Sequence, residues 1–184
     1  MGPVVGGAAP AAAPRGGRAH PAAVRRGVRA AHRGDVLRTV EFSTVADLPH
    51  APETVFRYLA EPRNRPEWQA SLLSVTLRDR GEPHVGMTWR DNTMAGVRPA
   101  LRITRLEPYR VWAEAGRWRG IEAELTLRFT AIAGGCRVTA TGTLAGSGPW
   151  GLAVTAAGRW AGPAVRHDLL RAGDVLSRGR RTPR

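Results

Sequence analysis

Lysine is missing from this chain: all 28 basic side chains among its 184 residues are arginine. Acids are also scarce, 15 in all, which leaves a formal charge of +13. The excess is uneven. Residues 1–36 hold six arginines and one acid, residues 178–184 hold four arginines and no acid, and residues 37–177 hold eighteen arginines against fourteen acids. Basicity therefore lives in the two ends. A nucleic-acid surface mixes lysine with arginine and interleaves aromatics. These ends carry no aromatic residue, so the charge speaks against nucleic acid, and the arginine bias fits a GC-rich genome.

Other absences narrow the chemistry. Cys136 is the only cysteine, so no disulfide forms within the chain, which fits a reducing cytoplasm. It lies in a strand-like run with Val138 and Ala140 and reads as a small core residue. His20, His32, His50, His84 and His167 show no metal spacing, and Cys136 has no partner for a zinc site, so neither a metal nor a cofactor is expected. There is no Gly-x-Ser-x-Gly elbow, since Ser147 sits in Gly146-Ser147-Gly148-Pro149, and no phosphate loop. The longest weakly charged stretch, Leu144–Val165, is mostly Ala and Gly, carries Arg159 and is cut by Pro149 and Pro163. No transmembrane segment is expected from it. Val4–Ala13 is broken by Gly and Pro and precedes its arginines, the wrong order for a signal peptide. Residues 1–36, mostly Ala, Gly, Pro and Arg without periodicity, read as a disordered tail or as the product of a start placed too far upstream.

What is present is patterned. Val36 to Asp47 suits a first strand, and Pro52 opens a short helix with Val55, Phe56 and Leu59 facing inward. Pro62 and Pro66 bracket a second short turn or helix holding Trp68. Strands are predicted over Leu72–Arg78, Gly86–Asp91, Val97–Glu107, Tyr109–Ala115, Ile121–Ala131 and Cys136–Leu144. Ile121, Ala123, Leu125, Leu127 and Phe129 alternate with Glu122, Glu124, Thr126 and Arg128, the mark of a sheet with one wet face. The last segment carries apolar residues at helical spacing: Trp150, Val154, Ala157, Ala161, Ala164, Leu169, Ala172 and Leu176. Gly158, Gly162 and Pro163 predict a kink or break in its middle. A helix of that length needs a sheet to cover its stripe.

Several local signatures join this order. Ala51-Pro52-Glu53-Thr54-Val55-Phe56 resembles the start of the first helix of the START-like (SRPBCC, helix-grip) superfamily. Asn64-Arg65-Pro66-Glu67-Trp68 is similar to the segment after its second short helix. Val85-Gly86-Met87-Thr88-Trp89 and Ile103-Thr104-Arg105-Leu106-Glu107-Pro108 resemble its third strand and mid-sheet hairpin, and Arg166-His167-Asp168-Leu169-Leu170-Arg171 the end of its long helix. Within the superfamily the chain looks most like bacterial polyketide cyclase/dehydrase and lipid-transport-like proteins, over residues 37–177. The resemblance implies an α+β helix-grip domain: a curved antiparallel sheet of about seven strands round a long C-terminal helix, two short helices after the first strand, and an apolar cavity between sheet and helix. Trp68, Met87, Trp89, Asp91, Leu101, Ile103, Leu125, Leu127 and Phe129 could line that cavity, with Trp150, Val154 and Trp160 from the helix. On the strand before Ala115, Trp112 and Glu114 share one face, Val111 and Ala113 the other, and alternation does not say which is inward.

Three functions follow as expectations. One is binding of a hydrophobic or aromatic small molecule, lipid- or polyketide-like. A second is a polyketide cyclase or dehydratase, with Glu114 or Asp91, and Arg102 beside them, as weak candidates for acid–base work; a carboxyl in an apolar pocket titrates near neutrality. A third is a scaffold docking an acidic partner through the basic tails. The oligomeric state is not written in the sequence.

Overall fold

The computed structural model describes residues 36–179; residues 1–35 and 180–184, where the basic tails are expected, lie outside it. The elements run β1 (Arg38–Leu48), α1 (Pro52–Ala60), a 3-10 turn (Pro62–Asn64), α2 (Arg65–Trp68), β2 (Leu72–Leu77), β3 (Thr88–Thr93), β4 (Ala100–Glu107), β5 (Val111–Trp118), β6 (Ile121–Ile132), β7 (Gly135–Gly146) and α3 (Pro149–Gly179). The strands form one antiparallel sheet in the order β1-β7-β6-β5-β4-β3-β2. This is the α+β helix-grip architecture that the element order predicts.

The alternation along β6 sets the faces. Leu127 and Phe129 are buried on the helix-facing side while Glu122, Glu124 and Arg128 are exposed, and the β6–β7 register runs unbroken from Ile121↔Gly146 to Ile132↔Gly135. Pro52 stands at the first position of α1, where its missing N–H is no loss. Val55, Phe56, Leu59 and Ala60 then fall on the buried face, and Phe56 meets Phe129 edge-to-face with centroids 5.3 Å apart. Cys136 is fully buried among these side chains, and burial pushes its thiol up.

The long helix keeps part of its predicted stripe, burying Val154, Leu169 and Ala172, and departs from the rest. α3 runs from Pro149 to Gly179 through Pro163 without a break. Its buried side is Gly151, Val154, Gly158, Gly162, Leu169, Ala172 and Gly173, whereas Ala157 and Ala164 are exposed. The glycines are the packing surface rather than helix breakers. A Cβ on Gly158 would run into the Val40 side chain, and one on Gly151 would lie 3.1 Å from Arg38 Cδ. Removing these methyls lets the α3 backbone lie close against β1. The C-terminal half packs through Leu169, Ala172 and Gly173 and is fixed by polar contacts as well. Buried His50 places Nε2 3.1 Å from the Gly173 carbonyl, the Ala70 N–H donates to Asp168 at 3.1 Å, and Arg171 Nε donates to the Glu67 carbonyl at 3.0 Å.

Candidate functional site

Two prolines hold the turn that delivers the central residue. Pro62 opens the 3-10 turn and Pro66 sits in the first turn of α2, so Arg65 is carried on a short stiff element and its side chain points under the sheet, 2% exposed. It donates to Glu114 Oε2 at 2.8 Å and to Asp91 Oδ2 at 3.0 Å. Asp91 Oδ1 also accepts from Trp89 Nε1 at 3.0 Å. The guanidinium lies 5.4 Å from the Trp89 ring centroid and 5.9 Å from that of Trp68, within cation–π range. Asp91 is 3% exposed and Glu114 7%. A register irregularity in β4 falls between Ile103 and Arg105, beside the Ile103↔Glu114 pair; such irregularities re-aim side chains locally.

The charges do not balance if every group ionises: one cation faces two carboxylates. Burial drives the Glu114 carboxyl upward, Arg65 opposes this, and Asp91 adds to the rise. Glu114 therefore takes up a proton more readily than an ordinary glutamate. Burial alone would lower Arg65, but Glu114 and Asp91 outweigh it and the net shift is upward, so the guanidinium stays charged.

Beside this cluster lies a cavity of about 30 Å³ between sheet and α3, lined by Arg65, Trp68, Gln69, Leu125, Leu127, Val165, Asp168 and Leu169. Three buried polar atoms of residues that line it have no hydrogen-bond partner among the described residues: Arg65 Nε, Trp68 Nε1 and Gln69 Oε1. Two are donors and one is an acceptor. Burial also pushes the Asp168 carboxyl up, against the Ala70 amide and the nearby His167, Arg171 and Arg65. Beyond the cavity, Ile121 and Ala123 are half-buried on the same face of β6 as Leu125, and Ala161 is half-buried one turn from Val165. α3 leans on β1 and β7 and barely touches β6. Trp118 and Trp150 meet edge-to-face at 5.2 Å.

The residues singled out by sequence are distributed as follows. Trp68, Leu125 and Leu127 line the cavity. Met87, Trp89, Leu101, Ile103, Trp112, Phe129 and Val154 are buried in the core. Trp150 packs on Trp118, and Trp160 is 72% exposed. Asp91 and Glu114 come together on Arg65. Arg102 is exposed and pairs across β3–β4 with Thr88, away from that cluster. Trp112 and Glu114 form the inward face of β5, and Val111 and Ala113 are buried as well. Five cavity residues were not singled out as lining it: Arg65, Gln69, Val165, Asp168 and Leu169.

The model of the family described as polyketide cyclase / dehydrase and lipid transport matches residues 39–176. No curated protein matches the chain. Among solved structures, a protein of Rhizobium leguminosarum is similar at 18% identity and a TM-score of 0.59, covering 78% of this chain and 98% of its own. A protein of Mesorhizobium loti is similar at 18% identity and a TM-score of 0.59, covering 77% and 98%. Ara h 8.0201 is similar at 14% identity and a TM-score of 0.58, covering 76% and 99%. At these identities the structures speak to the fold alone.

Proposed function

Since the chain belongs to the polyketide cyclase/dehydrase and lipid transport family, we propose that it binds a hydrophobic or aromatic small molecule bearing a carbonyl or hydroxyl oxygen, held between the sheet and α3. The observation that carries this reading is the set of three buried polar atoms without a partner among the described residues, Arg65 Nε, Trp68 Nε1 and Gln69 Oε1, all on residues that line a cavity whose other lining is apolar except for Asp168. Buried polar groups are almost always hydrogen-bonded. A ligand oxygen at that point accepts from Arg65 and Trp68, and a ligand hydroxyl donates to Gln69. A cavity of about 30 Å³ takes a polar tip and no more, since a benzene-sized guest needs roughly 150 Å³. The apolar body then lies along Leu125, Ala123 and Ala161, and α3 or the Leu125 side chain shifts to admit it.

Binding of the neutral dye Nile red tests this. The wild type binds it saturably at one site, and Leu125→Asp weakens binding tenfold or more. Equal binding by the two proteins defeats the reading.

A second reading, cyclase or dehydratase, is favoured by one observation: Asp168 lines the cavity and its carboxyl is raised by burial, as acid–base work near neutrality requires. Glu114 reaches the cavity only through Arg65, so it positions the guanidinium rather than meeting ligand. If this reading holds, Asp168→Asn abolishes turnover of a polyketone while leaving Nile red affinity unchanged.

A further inference from the structure

The N-terminal half of α3 is apolar on two sides. One side is buried, Gly151, Gly158 and Gly162 against β1 and Val154 beside Gly146 of β7. The other faces solvent: Leu152 is 64% and Trp160 72% exposed, and Ala153, Ala156, Pro163 and Ala164 beside them are exposed too. Leu152, Ala156 and Trp160 follow one another at four-residue steps, so they form one outward row. A surface helix normally turns charged residues to water, and a contiguous exposed apolar patch marks an interaction site. The charge around it has one sign. No acidic residue occurs between Gly142 and His167. Arg159 and Arg166 are exposed on the flank of the row and take part in no ion pair among the described residues. Arg119 lies over the Trp118 and Trp150 rings at the start of the helix.

We propose that this half of α3 is a docking face for an anionic lipid bilayer surface, with Leu152 and Trp160 entering the headgroup boundary and Arg159 and Arg166 meeting the lipid phosphates. Trp and Leu on one side, arginine on the flank and no acid is the composition of a helix that lies in the interface plane. No described helix is long and apolar enough to cross a membrane, so the face rests on the bilayer. A protein groove is a poorer fit. Helix-in-groove partners read a row of large anchors every three or four residues, whereas only Leu152 and Trp160 protrude here, with alanines between. A second copy fits less well still, because a two-fold axis through the row brings Arg159 and Arg166 toward their own copies. The proposal does not depend on what the cavity binds.

The test is flotation of the full chain with phosphatidylcholine vesicles, with and without phosphatidylglycerol, at physiological salt. The wild type floats with the anionic vesicles. Leu152→Ser combined with Trp160→Ser removes apolar area without changing charge, so any attraction from the basic ends is untouched; flotation falls at least tenfold while the melting temperature holds. Arg159→Gln and Arg166→Gln each weaken flotation about fivefold. The proposal is overturned by a double serine variant that floats like the wild type, by a wild type that never floats, or by a wild-type dimer in sedimentation that the serine variant converts to monomer.

Discussion

Arg65 and Arg137 both bridge to carboxylates across the same sheet, one on each face. Arg137 holds Asp47 with two bonds of 2.7 Å on the wet face, where both side chains are about half exposed. Arg65 holds Asp91 and Glu114 at 3.0 and 2.8 Å under the sheet, where all three are nearly sealed from water. The surface contact has the better bidentate geometry, yet water and salt screen it and its partners are well solvated when apart. In the buried cluster each group has given up its hydration, so none of the three can be removed without stranding the others. Geometry alone does not rank two ion pairs; burial decides which one the fold depends on.

The largest expected effect comes from breaking the buried cluster on one side. Arg65→Met strands two carboxylates and lowers the unfolding free energy by about 3–5 kcal/mol, read from urea denaturation. Combining it with Asp91→Asn and Glu114→Gln restores most of that loss; a triple variant as unstable as the single one would mean that Arg65 acts by packing on Trp68 and Trp89 instead. Next comes Glu114→Gln, whose signature is pH dependence. Because the folded carboxyl is raised above its ordinary value of 4.5, the folded state holds a proton that the unfolded chain releases. Stability contributed by Glu114 is therefore complete below that ordinary value and is lost as pH climbs through the folded titration. The wild-type melting temperature falls over that window relative to the Gln variant, and parallel profiles would show Glu114 ionised like a surface residue. The smallest effect belongs to Arg137→Ala, which barely moves the melting temperature at any salt concentration. A loss approaching that of Arg65→Met would undo the contrast.

The same contrast explains what could be read from the sequence. Period-two alternation is a direct print of burial, so β6, β7 and the whole order of strands were legible, and so was the inward phase shared by Trp89 with Asp91. Arg65 was not, because one arginine among 28 carries no local mark of being buried. The available signal was indirect: two acids in phase with inward tryptophans require a cation, and the segment pinned between Pro62 and Pro66 was placed to supply it. The face of α3 was only partly legible, Val154, Leu169 and Ala172 being buried as the stripe predicts and the rest lost for a related reason. Apolar periodicity counts side chains, and Gly151, Gly158 and Gly162 pack by having none. The outward alanines then pass for the buried stripe. Asp168 sits on a helix whose neighbours His167 and Arg166 are solvent-facing, so its turn toward the cavity is visible only once α2 is in place.

The glycine side of α3 has a consequence for the chain in company. β1 is an eleven-residue strand at the border of the sheet, with no strand among the described residues paired beyond it, and such a border is an open template for another chain's strand. By lying close along β1, the helix crowds that template. The opposite border is protected by other means: β2 is only six residues long and slips register between Leu72 and Ser74. A side chain large enough to lever α3 away from Val40 would thus do its harm between molecules, by opening the longer border to strand-by-strand aggregation.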